Sequence, residues 1–179
     1  MKPWLAVAHL IDAVNERVGR AVTWLVLAAT LISAANALAR YGLNLSSNAW
    51  LEIQWYLFGA IILLTAGYTL KHNGHVRIDV IYGLFSVRTQ AWIDLLGTLL
   101  FLLPLCGLMT WLAFPGFVES LQSGETSPDA GGLLRWPVRL LIPLGFALLG
   151  LQGISEAIKR IAFLRGKGKL TREQPQEEV

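Results

Sequence analysis

Four stretches of the chain run for sixteen residues or more without Asp, Glu, Lys or Arg: Ala21 to Ala39, Ile53 to Leu70, Leu95 to Val118 and Leu140 to Ser155. A bilayer core about 30 Å thick takes roughly 20 helical residues at about 1.5 Å each. The pattern therefore predicts four membrane-spanning helices. The fourth run is short, and Leu133 to Val138 extend it if Arg139 carries its charge outward along its stem. With their flanks the spans are expected at about 21–40, 52–71, 94–118 and 134–158, within a transmembrane domain over residues 21–160.

The residues before the first run follow a different pattern. Trp4, Val7, Ala8, Ile11, Val14 and Val18 recur at helical spacing on one face, with His9, Asp12 and Glu16 on the other. This predicts an amphipathic interfacial helix over residues 1–20, with Trp4 at headgroup depth. A signal peptide is not expected, because the same polar residues interrupt any hydrophobic region. From Arg165 onward the tail turns from basic to acidic and loses its aromatics, so residues 161–179 are expected to form a disordered cytoplasmic tail. The fold class is thus an all-α membrane protein: four transmembrane helices preceded by an amphipathic interfacial helix.

Composition agrees with lipid as the solvent: 54% of the residues are hydrophobic and 15% charged, against roughly 25% charged in soluble domains. The net charge of +3 does not form a basic stripe, so no nucleic-acid partner is implied. Instead it orients the chain. Twelve of the fifteen Lys and Arg lie before the first run, between the second and third, or in the tail; Arg40, Arg135 and Arg139 occupy the other two connections. The positive-inside rule then places both termini in the cytoplasm. Trp4, Arg20, Lys71, Arg88, Lys159 and Arg160 are the candidates for the lipid interface.

Chemistry inside the spans is sparse. The four runs hold no ionisable Asp, Glu, Lys or Arg, and Thr30, Ser33, Asn36, Thr65, Thr98, Thr110 and Gln152 suit helix packing better than a transport path. His9, His72 and His75 lie outside the spans, which argues against axial haem ligation. Cys106 stands alone in an apolar run, so no internal disulfide is possible. Neither a metal, a cofactor nor an enzymatic constellation is expected. Pro104 and Pro143 favour kinks.

The densest polar and aromatic features flank the second run. Glu52 and Tyr56 share a helix face at i, i+4, beside Trp50 and Trp55 of an outer aromatic belt. Arg40, at the end of the first run, is the expected intrachain partner for Glu52. Beyond the run, His75, Arg77 and Asp79 fall on the cytoplasmic loop. Pro128, Asp129, Gly131 and Gly132 describe a shaped outer loop.

Together, three of these segments resemble the small permease subunit of tripartite ATP-independent periplasmic (TRAP) transporters. They are Trp50, Glu52, Trp55, Phe58, Gly59 and Ala60; Gly74 to Val80; and Ser127 to Gly132, in a resemblance covering about Ala21 to Arg160. It implies a bacterial or archaeal inner-membrane protein that scaffolds a large multi-span permease subunit holding the substrate and sodium sites. A soluble periplasmic substrate-binding protein would deliver organic acids for sodium-coupled uptake. Arg40, Trp50, Glu52, Trp55, His75, Arg77, Asp79, Pro128 and Asp129 are the candidate partner-facing or structural residues, none of them in contact with substrate. The competing reading, a self-contained homo-oligomeric exporter or channel, calls for an acid well inside a span, and Glu52 lies only at an edge.

Overall fold

The computed structural model describes residues 3–45, 47–76 and 82–166. Among these, four helices are long and apolar enough to cross a membrane: α1 (Pro3–Gly42), α2 (Asn48–Lys71), α3 (Val87–Ser123) and α4 (Trp136–Leu164). They agree with the four predicted spans and extend past the charge-free runs at every end. Local signals set their limits. Ser86 caps α3, its hydroxyl accepting from the Thr89 N–H at 3.3 Å, and Gly124 ends it in the left-handed conformation, φ 62°.

The first span and the amphipathic segment before it are one helix, not two. No proline or paired glycine interrupts residues 4–41, so nothing costs enough to break the hydrogen-bond ladder near Arg20. The two faces of this segment are also divided differently from the expected pattern, with His9 of the polar face exposed and Ala8 of the apolar face buried. Ala8, Asn15 and Gly19 are buried against the bundle, with Asp12 and Glu16 beside them, while Val7, Leu10 and Val14 are exposed. A polar side chain in lipid must find a partner inside the protein, and the neighbouring helices supply those partners here.

Helix α4 is the axis of the bundle and packs on the other three; α1 also packs on α2, and α3 leans chiefly on α4. Lipid gives no hydrophobic reward for bringing helices together, so close approach through small residues has to supply the attraction. Accordingly Gly145, Gly150, Gly153, Ser155 and Ala157 are buried along α4. At Gly145 the approach is close enough that a β-carbon would stand 2.7 Å from Leu63 Cβ and 2.8 Å from the Leu63 carbonyl oxygen.

Pro104 acts one turn before its own position. Residues Thr98–Leu102 form a π-helical turn, with the Leu103 N–H donating to the Thr98 carbonyl. A proline ring crowds the preceding turn and removes one donor, and a widened turn accommodates both. Pro115 and Pro143 lie within α3 and α4, which remain helical through them.

Gly145→Ala is expected to destabilise the protein by about 1–3 kcal/mol through overpacking against backbone, read as a lower melting temperature in detergent. Gly107→Ala, where a β-carbon meets no atom within 4 Å, is expected to be neutral or slightly stabilising from helix propensity.

Candidate functional site

Polar side chains gather at the two ends of the bundle. At the end that carries the amino terminus, four carboxylates from three helices meet four cations. Asp12 of α1 accepts from Ser155 Oγ at 2.7 Å and Gln152 Nε2 at 2.8 Å, and pairs with Lys159 Nζ at 3.2 Å. Lys159 also pairs with Glu156, which in turn holds Arg160. Arg160 reaches α3, its Nη2 standing 3.0 Å from Asp94 Oδ2, where the Tyr82 hydroxyl also donates at 2.8 Å. On the other flank Glu16 pairs with Lys71 at 2.6 Å, His72 Nε2 at 2.8 Å and Arg20 at 2.8 Å. Beneath them Asn15, fully buried, donates to Gln152 Oε1 at 3.1 Å.

The Arg160 side chain is only 9% exposed. A buried guanidinium is tolerable only when paired and hydrogen-bonded, and the two acids meet that condition. The structure therefore places Arg160, Lys159 and Lys71, expected at the lipid surface, inside an ion-paired network; Arg20 remains exposed and bonds Glu16 one turn away. Their counting toward orientation concealed this second use. A signal was present in the sequence: Gln152, Glu156 and Arg160 repeat at i, i+4, with Ser155 and Lys159 alongside, a polar stripe continuing an apolar helix.

At the opposite end, Asn48, Glu52 and Tyr56 form a stripe on α2, and each holds one backbone group of the 124–135 loop. Asn48 Nδ2 donates to the Ala130 carbonyl at 3.3 Å, Glu52 Oε2 accepts from the Leu133 N–H at 2.7 Å, and the Tyr56 hydroxyl donates to the Leu134 carbonyl at 3.2 Å. The loop has its own order: Thr126 bridges Leu134, the Ser127 N–H donates to Leu133 O at 2.9 Å, and Gly132 N–H to Asp129 O at 2.9 Å. Gly131, at φ 73°, supplies the left-handed third position of that turn. Arg139 ties the loop to α3 and α4, pairing with Glu125 at 2.8 Å and donating to the Gly116 carbonyl at 3.2 Å. The partner of Glu52 is thus the loop backbone and not Arg40, because α2 projects Glu52 towards α4, whereas Arg40 is exposed in the last turn of α1.

Of the remaining sequence candidates, Trp50, Trp55, Pro128 and Asp129 are exposed around this clamp, and Trp4 is half-buried. His75 and Arg88 are exposed at the other end; Arg77 and Asp79 lie outside the described residues. Among the described residues no group of three or more His, Cys, Asp or Glu is placed to hold a metal ion.

A family model described as "Tripartite ATP-independent periplasmic transporters, DctQ component" matches residues 29–163, well over half of the chain. The chain belongs to the DctQ family. No curated protein and no solved structure matches it. As a DctQ chain it is a small membrane subunit of a TRAP transporter, a transporter component and not a member of an enzyme family. The DctQ match contains the whole Glu52 clamp and the Asp94–Arg160 pair. Asp12 and Glu16 lie before it, although their partners Lys71, Gln152, Ser155 and Lys159 lie within it.

Two outcomes check these assignments in the DctQ chain. Arg160→Leu strands Asp94 and Glu156 and is expected to cost about 3–5 kcal/mol, with part of the loss recovered when Asp94→Asn and Glu156→Gln are added; melting in detergent reads both. Glu52→Ala leaves the Leu133 N–H unanswered, for a loss of about 1–3 kcal/mol and faster amide exchange at Leu133. Arg40→Ala is expected to stay within about 0.5 kcal/mol.

Proposed function

We propose that this DctQ chain is the non-catalytic scaffold of a sodium-coupled TRAP importer of organic acids in the bacterial inner membrane. It holds a large multi-span permease subunit, which carries the substrate and sodium sites, and it works with a soluble periplasmic substrate-binding protein. Its termini face the cytoplasm, so the Glu52 clamp faces the periplasm. The family match over residues 29–163 is the observation that carries this reading.

Three further features support it. The charge-free runs leave the middle of each span without an Asp, Glu, Lys or Arg, and charged groups there mark ion and proton paths in membranes. The charges at the terminal end are engaged with one another and are thereby committed to architecture. Large apolar side chains face outward on α1 and α3, among them Trp24, Leu38, Phe101 and Trp111, offering surface to lipid and to a larger neighbour. The uneven placement of Lys and Arg supports the orientation.

Mild-detergent purification of the tagged chain from its native membranes, followed by mass spectrometry, tests the proposal. Recovery of one large multi-span permease at about one copy per chain is expected from obligate pairing. A stable homo-oligomer that catalyses transport by itself in liposomes would overturn it.

A further inference from the structure

Between the loop and the two helices that hold it lies an open cavity of about 490 Å³. Its ionisable lining is balanced, with the carboxylates of Glu52 and Asp129 and the guanidinium groups of Arg135 and Arg139. Leu51 and Val138 supply apolar wall, and Trp55, 76% exposed, stands beside them. The charge-free run of α2 begins one residue after Glu52, which puts the cavity at the edge of the hydrocarbon, the depth of lipid headgroups.

Two groups there have capacity left over. Glu52 accepts from the Leu133 N–H through Oε2, while Oε1 is shielded from solvent and makes no hydrogen bond of ordinary geometry among the described residues, with the Ser127 and Asp129 side chains as the carboxylate's polar neighbours. The terminal torsion of a Glu side chain is broad, so a small turn presents Oε1 to the cavity. Arg135 meets Glu125 only at 3.7 Å, and its side chain is 41% exposed. A carboxylate oxygen lacking a donor calls for an N–H cation, and an under-used guanidinium calls for a phosphate.

We infer that this cavity binds the headgroup of a phospholipid bearing a primary amine, its ammonium on Glu52 and its phosphate on Arg135, with the acyl chains running down past Leu51 and Val138. The neutral balance of the lining fits a zwitterion better than an anionic lipid. A primary ammonium also fits better than a choline group, which has no N–H to donate. The same amine and phosphate occur in free phosphoethanolamine, but that molecule has nothing to place along the apolar wall.

Delipidated full-length chain in detergent, titrated with dioleoyl phosphatidylethanolamine, phosphatidylcholine and phosphatidylglycerol, tests the inference by native mass spectrometry and thermal shift. Phosphatidylethanolamine is expected to bind about tenfold more tightly than phosphatidylcholine, the value of one charge-assisted hydrogen bond. Glu52→Gln keeps an acceptor for Leu133 and is expected to bring that ratio to about one. Arg135→Gln is expected to weaken both lipids alike and leave the ratio unchanged. Equal binding of the two lipids by the unaltered chain, a preference for phosphatidylglycerol, or a preference that survives Glu52→Gln would overturn it. A thermal shift from phosphoethanolamine as large as that from the lipid would assign the cavity to a soluble ligand instead.

Discussion

A guanidinium that water scarcely reaches has few places it can be. Arg160 stays charged inside the bundle because Asp94 of α3 and Glu156 of its own helix meet it there, and moving either helix by one turn would strand the charge. The same logic runs through Lys159 to Asp12 of α1 and, one turn further along α1, from Glu16 to Lys71 of α2. Van der Waals contact between smooth apolar helices tolerates sliding; buried charges do not. The small residues of α4 let its neighbours come close, and the ionic end settles the register at which they stop.

The opposite end is fixed by different means. One stripe of α2 side chains reads the backbone of a loop instead of its side chains, so the loop's shape matters more there than its charge. Gly131 provides a backbone angle that residues with a β-carbon rarely adopt. Gly132 has its own reason, since a β-carbon there would stand 2.4 Å from Ser127 Cβ. The chain is thereby clamped at both ends of its spans, which suits the scaffold role proposed for it.

Much of this was legible beforehand. The absence of charge over sixteen residues or more is a strong constraint, and it located all four spans. Their spacing puts Glu52 and Tyr56 on one face, but what they hold is not visible, because a backbone N–H leaves no mark in a sequence. The burial of the first helix is hidden from the sequence for a related reason. Periodicity shows that a segment has an apolar and a polar face; it does not say which one faces the solvent. In water the apolar face turns inward, whereas Asp12 and Glu16, besides the local Arg20–Glu16 pair, find their partners on the other helices of the bundle. Those partners sit more than fifty residues away in sequence, beyond the reach of any local pattern.

The length of α1 has a consequence for the edge of the membrane. Forty residues at about 1.5 Å make a rod of about 60 Å, twice the roughly 30 Å of hydrocarbon it crosses. Where it overhangs, Asp12 and Glu16 are turned toward their companions on other helices, while Val7, Leu10 and Val14 are turned out together with His9, Arg17 and Arg20. Apolar surface thus continues past the bilayer's boundary, like a hull painted above the waterline, with basic residues set into it. Headgroups or a neighbouring subunit arriving at that height encounter apolar side chains set with the cations of Arg17 and Arg20, while the acids are held behind them.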